Sequence, residues 1–271
     1  RIRALVDLLG SPQETYPEIH LTGTNGKSSA ARMTSALLEA SGLSVGTYTR
    51  PHLEEVNERI VWNGEPVDDA TLAQLLSRIA EIEVHLPDRP SYFEILTAAA
   101  LSWFSDVAVD VAVVEVGVGG TWDATNVVDG RIAVVTNVSV DHVEYLGPTR
   151  EQIATDKAGI VKPGSTLVLG ETDPTLVPRF LDRGATDVVT RDENFGVTAN
   201  RPAHGGRVAD LFTPNGRYDG VYVPLHGAYQ ADNAAAALTA AECFLGRPVS
   251  EEVVAEAFRA VTVPVLDTPL G

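Results

Sequence analysis

Glu18 to Met33 reads EIHLTGTNGKSSAARM: an apolar run that breaks into Gly-Thr-Asn-Gly-Lys-Ser and then turns helical. Where a strand feeds a glycine turn and a helix start, backbone N–H groups uncrowded by side chains form an anion nest, and the helix dipole adds favourable potential. Gly23 and Gly26 supply the permissive backbone, with Thr24 and Asn25 between them. Lys27 supplies a point charge for β- and γ-phosphates, Ser28 a hydroxyl able to reach magnesium, and Ser29 continues the first helical turn. The full Walker pattern has a glycine at the position Leu21 takes, so this is a shortened variant. The bland alternative is a glycine turn with a surface lysine. The placement between a strand and a helix favours the phosphate loop, and the anion it suits is a nucleoside triphosphate tail.

Outward from this stretch, apolar β-branched runs alternate with helical patterns. Strands are predicted in EIHLTG, SVGTYT, VDVAVVEV, RIAVVTNV, STLVLG and TDVVT. Runs such as VAVVEV are apolar at nearly every position, which suits parallel strands covered on both faces. Helices are predicted from Ser28 to Ala40, ending at Gly42, and from Asp69 to about Glu83, with Leu72, Leu75, Leu76 and Ile79 on one stripe. Ser91 with Glu94, and Thr149 with Gln152, read as capping boxes, the second opening a helix through Lys157. AYQADNAAAALTAAECFLG and the Ser250-capped EEVVAEAFRAV follow. The alternation predicts an α/β fold with a doubly wound, mostly parallel sheet. Residues 194–225 read differently, as a small antiparallel β excursion with turns at Gly205-Gly206 and Asn215-Gly216.

The 271 residues carry 20 basic and 37 acidic side chains, a formal net charge of −17. That field repels nucleic acid and anionic membrane, so neither is expected as a partner, and an anionic ligand needs a local basic or amide-rich site. No apolar run reaches the roughly 18 residues that span a bilayer. Cys243, alone of its kind, excludes an internal disulfide, fits a reducing cytoplasm and reads as part of a helix core.

Four further stretches narrow the reading: YTRPHLEEVNERI (Tyr48 to Ile60), VVEVGVGGTWDATN (Val113 to Asn126), TNVSVDHVEYLG (Thr136 to Gly147) and DKAGIVKPG (Asp156 to Gly164). With LTGTNGKSS and LHGAYQADNAAAAL they resemble, in order and over nearly the whole chain, the bifunctional dihydrofolate synthase/folylpolyglutamate synthase family of the Mur ligase superfamily. The resemblance implies an ATP-dependent amide ligase of folate metabolism. A carboxylate of dihydropteroate or a folate becomes an acyl phosphate, and the amino group of L-glutamate displaces phosphate. It further implies a cytoplasmic monomer using ATP and magnesium.

Residue by residue, the resemblance makes Lys27 and the loop amides a phosphate grip and Glu115 a ligand of a first magnesium. His142, oriented by Asp141, becomes a ligand of a second, and Lys157 a lysine carried as a carbamate near it. Asn233 is expected near the nucleotide. YTRPHLEEVNERI corresponds to a mobile loop over the substrates, with Thr49, Pro51 and His52 at its core and Asn57, Glu58 and Arg59 at its far end.

Three positions depart from the family pattern. Arg50 stands where the family has a serine that helps hold the first magnesium, and guanidinium cannot bind a cation; Ser28 offers a replacement hydroxyl. Thr121 follows Gly119-Gly120 where arginine is common, which implies a missing phosphate or loop contact. Pro264 is not followed by the family's Gly-Arg, so residues 1–263 are expected to form the ATP-binding domain and 264–271 a linker or remnant of an absent glutamate-ligase domain. The departures keep open a degenerate member that binds ATP without ligating. A peptidoglycan Mur ligase shares the loop but fits the other segments less well.

Overall fold

A computed structural model describes residues 1–261; the expected linker after Pro264 lies outside them. Eight strands form one sheet: β1 (Glu18–Thr22), β2 (Val45–Tyr48), β3 (Ile60–Trp62), β4 (Glu65–Pro66), β5 (Val111–Glu115), β6 (Ile132–Val135), β7 (Thr166–Leu169) and β8 (Asp187–Thr190), in the order β4-β3-β2-β5-β1-β6-β7-β8. Pairing is parallel from β2 to β8, and the sheet is closed at the other edge by the antiparallel β3 and β4. The expected mostly parallel sheet is present. The β3–β4 hairpin is an addition that the strand pattern did not announce; its turn is Asn63-Gly64, both with positive φ (49° and 80°), the dipeptide that two-residue hairpins select.

The helices are α1 (Ile2–Leu8), α2 (Lys27–Ala40), α3 (Asp69–Glu83), α4 (Tyr92–Asp106), α5 (Val143–Leu146), α6 (Arg150–Lys157), α7 (Val177–Leu181), α8 (Tyr229–Leu245) and α9 (Glu251–Ala260). Their starts follow sequence chemistry: Ser91 and Glu94 form the predicted reciprocal capping box, and Thr149, Asp68 and Ser250 each accept a backbone N–H of the first turn.

Strand side chains alternate between two cores, which is why the strands are apolar at every position. Val111 and Val113 point into a core with Ile19, Leu21, Val134 and the alanine-rich face of α8, while Ala112 and Val114 join Tyr48, Phe104 and the α3–α4 layer on the opposite face. Leu72, Leu75 and Ile79 are buried as predicted, and Leu76 is partly buried. Cys243 packs partly buried beside the first core, and burial pushes its thiol up to about 11.

The antiparallel excursion is a separate three-stranded sheet, β9 (Gly196–Ala203), β10 (Gly206–Thr213) and β11 (Gly216–Val223). Its turns fall on His204-Gly205 and Pro214-Asn215, one residue earlier than read, because Gly206 and Gly216 pair with Ala203 and Thr213 as ladder residues. Glu242 of α8 ties this sheet down, accepting from the Asn215 amide (2.9 Å), the Val249 N–H (3.1 Å) and the Tyr218 hydroxyl.

Candidate active site

The turn after β1 lies at the carboxyl ends of β1, β5 and β6, where open α/β sheets receive ligands. It is clamped from β6: Thr24 N–H donates to the Asn137 carbonyl (3.0 Å), Asn25 N–H to Asn137 Oδ1 (3.0 Å), and Thr136 Oγ1 donates to the Asn25 carbonyl (2.7 Å). The amides of Thr24 and Asn25 are therefore spent on structure. The open donors are those of the α2 start: Gly26 is its N-cap, and no side chain caps the first turn of Lys27, Ser28 and Ser29. Gly26 holds φ at +81°, and a side chain there would run into the Asn233 amide. Asn233 thus packs against the loop, held by Gln230 (3.0 Å), whose own amide reaches Ser29 Oγ (3.3 Å).

Two lysines converge on one carbonyl. Lys27 Nζ lies 2.8 Å and Lys157 Nζ 2.9 Å from the Gly23 oxygen. Lys157, at the end of α6, is only 3% exposed. Burial first, and then the neighbouring Lys27 charge, bring its pKa down to about 8. Burial lowers Lys27 as well, against the opposing pull of Glu115 and Asp141. In a chain of net charge −17 this is a local concentration of positive potential.

Glu115 ends β5 beside this loop. Its Oε2 accepts the Arg50 N–H (3.0 Å), while its Oε1 and the Arg50 carbonyl lie 2.8 and 2.9 Å from Ser28 Oγ. One hydroxyl proton can serve only one of these two acceptors, so the oxygen cluster is one donor short. Burial raises the Glu115 pKa, offset in part by these hydrogen bonds. An all-oxygen set of carboxylate, hydroxyl and carbonyl has the composition magnesium takes.

Among the described residues His142 makes no side-chain hydrogen bond or ion pair with this cluster. It is exposed, with φ of +49°, and its Nε2 lies 3.5 Å from Asp141 Oδ2. Asp141 accompanies it as expected, and its charge also reaches Lys27 and Lys157. Among the described residues no three His, Cys, Asp or Glu side chains gather to hold a metal.

The departing residues have found other work. Thr121 donates to the Asp156 carbonyl (2.9 Å), Gly120 N–H donates to Asp156 Oδ2 (2.8 Å), and together they lock the loop after β5 onto the end of α6 that carries Lys157. Asp156 and Asp123, which the sequence reading did not single out, are thus structural acids; Asp123 accepts the N–H groups of Val118 and Thr125. The segment after β2 is folded on Glu58, whose carboxylate accepts the N–H groups of Leu53, Glu54 and Glu55, bonds that hold its pKa at about 2. Arg59 Nε donates to His52 Nδ1 (2.8 Å), and Asn57 bonds the Val67 carbonyl (2.7 Å). Beside Arg50 opens a cavity of about 500 Å³, walled by Phe93, Trp122, Asp123, Ala124, Tyr145 and others.

Comparison with known proteins bears on this geometry. The Mur ligase middle domain matches residues 21–241. The chain is 43% identical over 291 residues to dihydrofolate synthase/folylpolyglutamate synthase of Mycobacterium tuberculosis, covering 97% of this chain and 59% of the relative. It is 36% identical over 286 residues to folylpolyglutamate synthase of Lacticaseibacillus casei, covering 100% of this chain and 67% of the relative. The chain belongs to the dihydrofolate synthase/folylpolyglutamate synthase branch of the Mur ligase family. A solved FPGS–AMPPCP–folate complex superposes with a TM-score of 0.90 at 34% identity, covering 97% of this chain and 67% of that one. The chain therefore spans about three fifths to two thirds of the length of these Mur ligase relatives. The Mur ligase core of this chain includes the sheet, the loop carrying Lys27 and the helices that bring Asn233 and Lys157 to it.

Proposed function

We propose that residues 1–263 are the ATP-binding domain of a cytoplasmic, monomeric ligase that adds L-glutamate to dihydropteroate, to folates, or to both, through an acyl phosphate. Residues 264–271 are read as a linker or remnant of a glutamate-ligase domain, a reading supported by the greater length of the relatives.

The observation that carries the proposal is the convergence of Lys27, Lys157 and the uncapped α2 start on the turn at Gly23, with Glu115 and Ser28 alongside. Such a site suits a triphosphate: helix amides and Lys27 grip the β- and γ-phosphates, and Asn233 borders the nucleotide through its contact with Gly26. The acid, lying in the cavity beside Phe93, presents a carboxylate oxygen to the γ-phosphorus. The bond to ADP breaks as the acyl phosphate forms; the glutamate amine then attacks the acyl carbon and phosphate leaves, the amine proton passing to solvent or a neighbouring base. An acyl phosphate is readily lost to water, so the chemistry needs the site to exclude water once the substrates are bound.

Magnesium fits the donor-poor oxygen cluster, and Glu115 and Ser28 would hold it, with Ser28 standing in for the serine that Arg50 replaces. When bound, it would neutralise phosphate charge. For a second ion, His142 and Lys157 are the candidates. Carbamylation needs a neutral amine, which a pKa of about 8 supplies more readily than an exposed lysine does. The carbamate nitrogen keeps one N–H, so the bond to the Gly23 carbonyl survives the modification.

The test is phosphate release from the intact gene product with ATP, magnesium, L-glutamate and either dihydropteroate or a reduced folate. Release that requires both acid and glutamate is expected. Nucleotide binding without acid-dependent turnover would overturn the ligase reading and leave the non-ligating alternative.

A further inference from the structure

We propose that the Arg50 guanidinium receives the carboxylate of the acid substrate, holding it between the aromatic cavity and the phosphate loop. The inference rests on the ligase reading and adds to it the group of this chain that recognises the acid.

Arg50 is fixed at its backbone from both sides, by its N–H on Glu115 and by Ser28 at its carbonyl. This sets the direction of the side chain. The guanidinium carbon lies over the Phe93 ring, 4.3 Å from its centroid, and the group packs against Gly117, where an added Cβ would come 2.9 Å from Arg50 Cζ and 2.7 Å from Asp123 Oδ2. The fork is thus sandwiched at the junction of the cavity and the loop bearing Lys27.

The fork is also unspent. Among the described residues Arg50 makes no ion pair and its guanidinium no hydrogen bond, whereas Arg1, the other arginine on the cavity wall, pairs with Glu94 at 3.4 Å. Of the acids on the same wall, Asp123 lies beside the fork at Gly117 without pairing with it and accepts from Val118 and Thr125, Asp156 accepts from Gly120, and Glu94 from the Ser91 N–H. Thr121 cannot supply an anion contact, because its hydroxyl already donates to the Asp156 carbonyl. A planar, half-buried guanidinium with free donors matches a carboxylate in bidentate fashion, which neither a lysine nor a serine reproduces. Phe93, Trp122 and Tyr145 give the same cavity an aromatic wall, so the acid it suits carries an aromatic ring next to its carboxylate.

The test compares pteroic acid with its carboxamide by calorimetry on the AMPPCP-loaded protein, in wild type, Arg50→Ser and Arg50→Lys. Wild type is expected to bind the acid at least about tenfold better than the amide. Arg50→Ser erases that ratio by weakening the acid alone, and Arg50→Lys restores part of it. A packing role for Arg50 would weaken both compounds in proportion, and that result, like an unchanged ratio in Arg50→Ser, overturns the inference while leaving the ligase reading intact. A wild type that binds neither compound overturns this inference and leaves a folate as the acid of the ligase reading, which the phosphate-release assay tests separately.

Discussion

Glu18 offers a sharp test of the electrostatics of the fold, away from the chemistry. It opens β1 at the end of the sheet opposite the phosphate loop, is 3% exposed, and has one carboxyl oxygen, Oε1, without a partner among the described residues. Burial, ahead of the nearby Asp129 charge, raises its pKa to about 8, although the Gly130 N–H pulls the other way. The native protein therefore keeps this acid protonated where the unfolded chain, with the ordinary value of 4.5, ionises it. A raised native pKa means the contribution is fully present below pH 4.5 and is lost as pH rises through about 8. At 1.36 kcal/mol per pH step, the penalty is about 2 kcal/mol at pH 6 and about 4 kcal/mol at pH 8. Glu18→Gln has the shape of the protonated acid and no titration, so it should match wild type near pH 4.5 and exceed it by those amounts at higher pH. Urea denaturation of both proteins at pH steps from 5 to 8 measures the difference directly. Parallel stability curves would show that the native carboxyl ionises freely, and the argument from burial would fall.

Other outcomes follow from the site and its supports. Lys27→Ala should leave the fold intact, since only bonds to the Gly23 and Thr24 carbonyls are lost, yet weaken AMPPCP binding by about tenfold or more in calorimetry. Gly26→Ala should destabilise by about 2 kcal/mol or more in urea, because a left-handed alanine costs about 1–2 kcal/mol and its Cβ collides with Asn233. Glu242→Leu should cost about 2 kcal/mol by thermal unfolding, because it strands the buried Val249 N–H; Tyr218 retains the Val249 carbonyl as an acceptor at 2.8 Å.

What was legible in the sequence was local. VDVAVVEV announces a strand covered on both faces because both of its side-chain rows meet a core. The phosphate turn is legible because its glycines and Lys27 act through backbone geometry within a few residues. Capping is equally local, and Ser91 and Glu94 behave as read. The β3–β4 hairpin was legible in principle from Asn63-Gly64, but its strands are too short for a period to show. What sets the site, by contrast, is non-local. Nothing in the sequence near Asn25 says that Thr136 and Asn137 consume its polar groups, and nothing near Arg50 says that Phe93 and Gly117 flank its side chain. The substitution at position 50 could be read as the loss of a ligand; only the fold shows where the guanidinium goes.

The arrangement around Gly23 is poor as a structural device, and that is the strongest physical reason to read it as a site. A helix start left uncapped behind a left-handed glycine forgoes a few tenths of a kcal/mol, about 0.3, that Ser, Asp or Asn at the cap would supply. Two ammonium groups on one carbonyl repel each other, and Glu115 is buried beside a hydroxyl that cannot satisfy every oxygen around it. Separately each is a fault; together they have one remedy. A polyanion meets the open amides and both lysines, and a cation meets the oxygens. Local rules broken together in one place, where α2 goes uncapped while α3, α4, α6 and α9 each carry a side-chain cap, mark a surface shaped for what binds there.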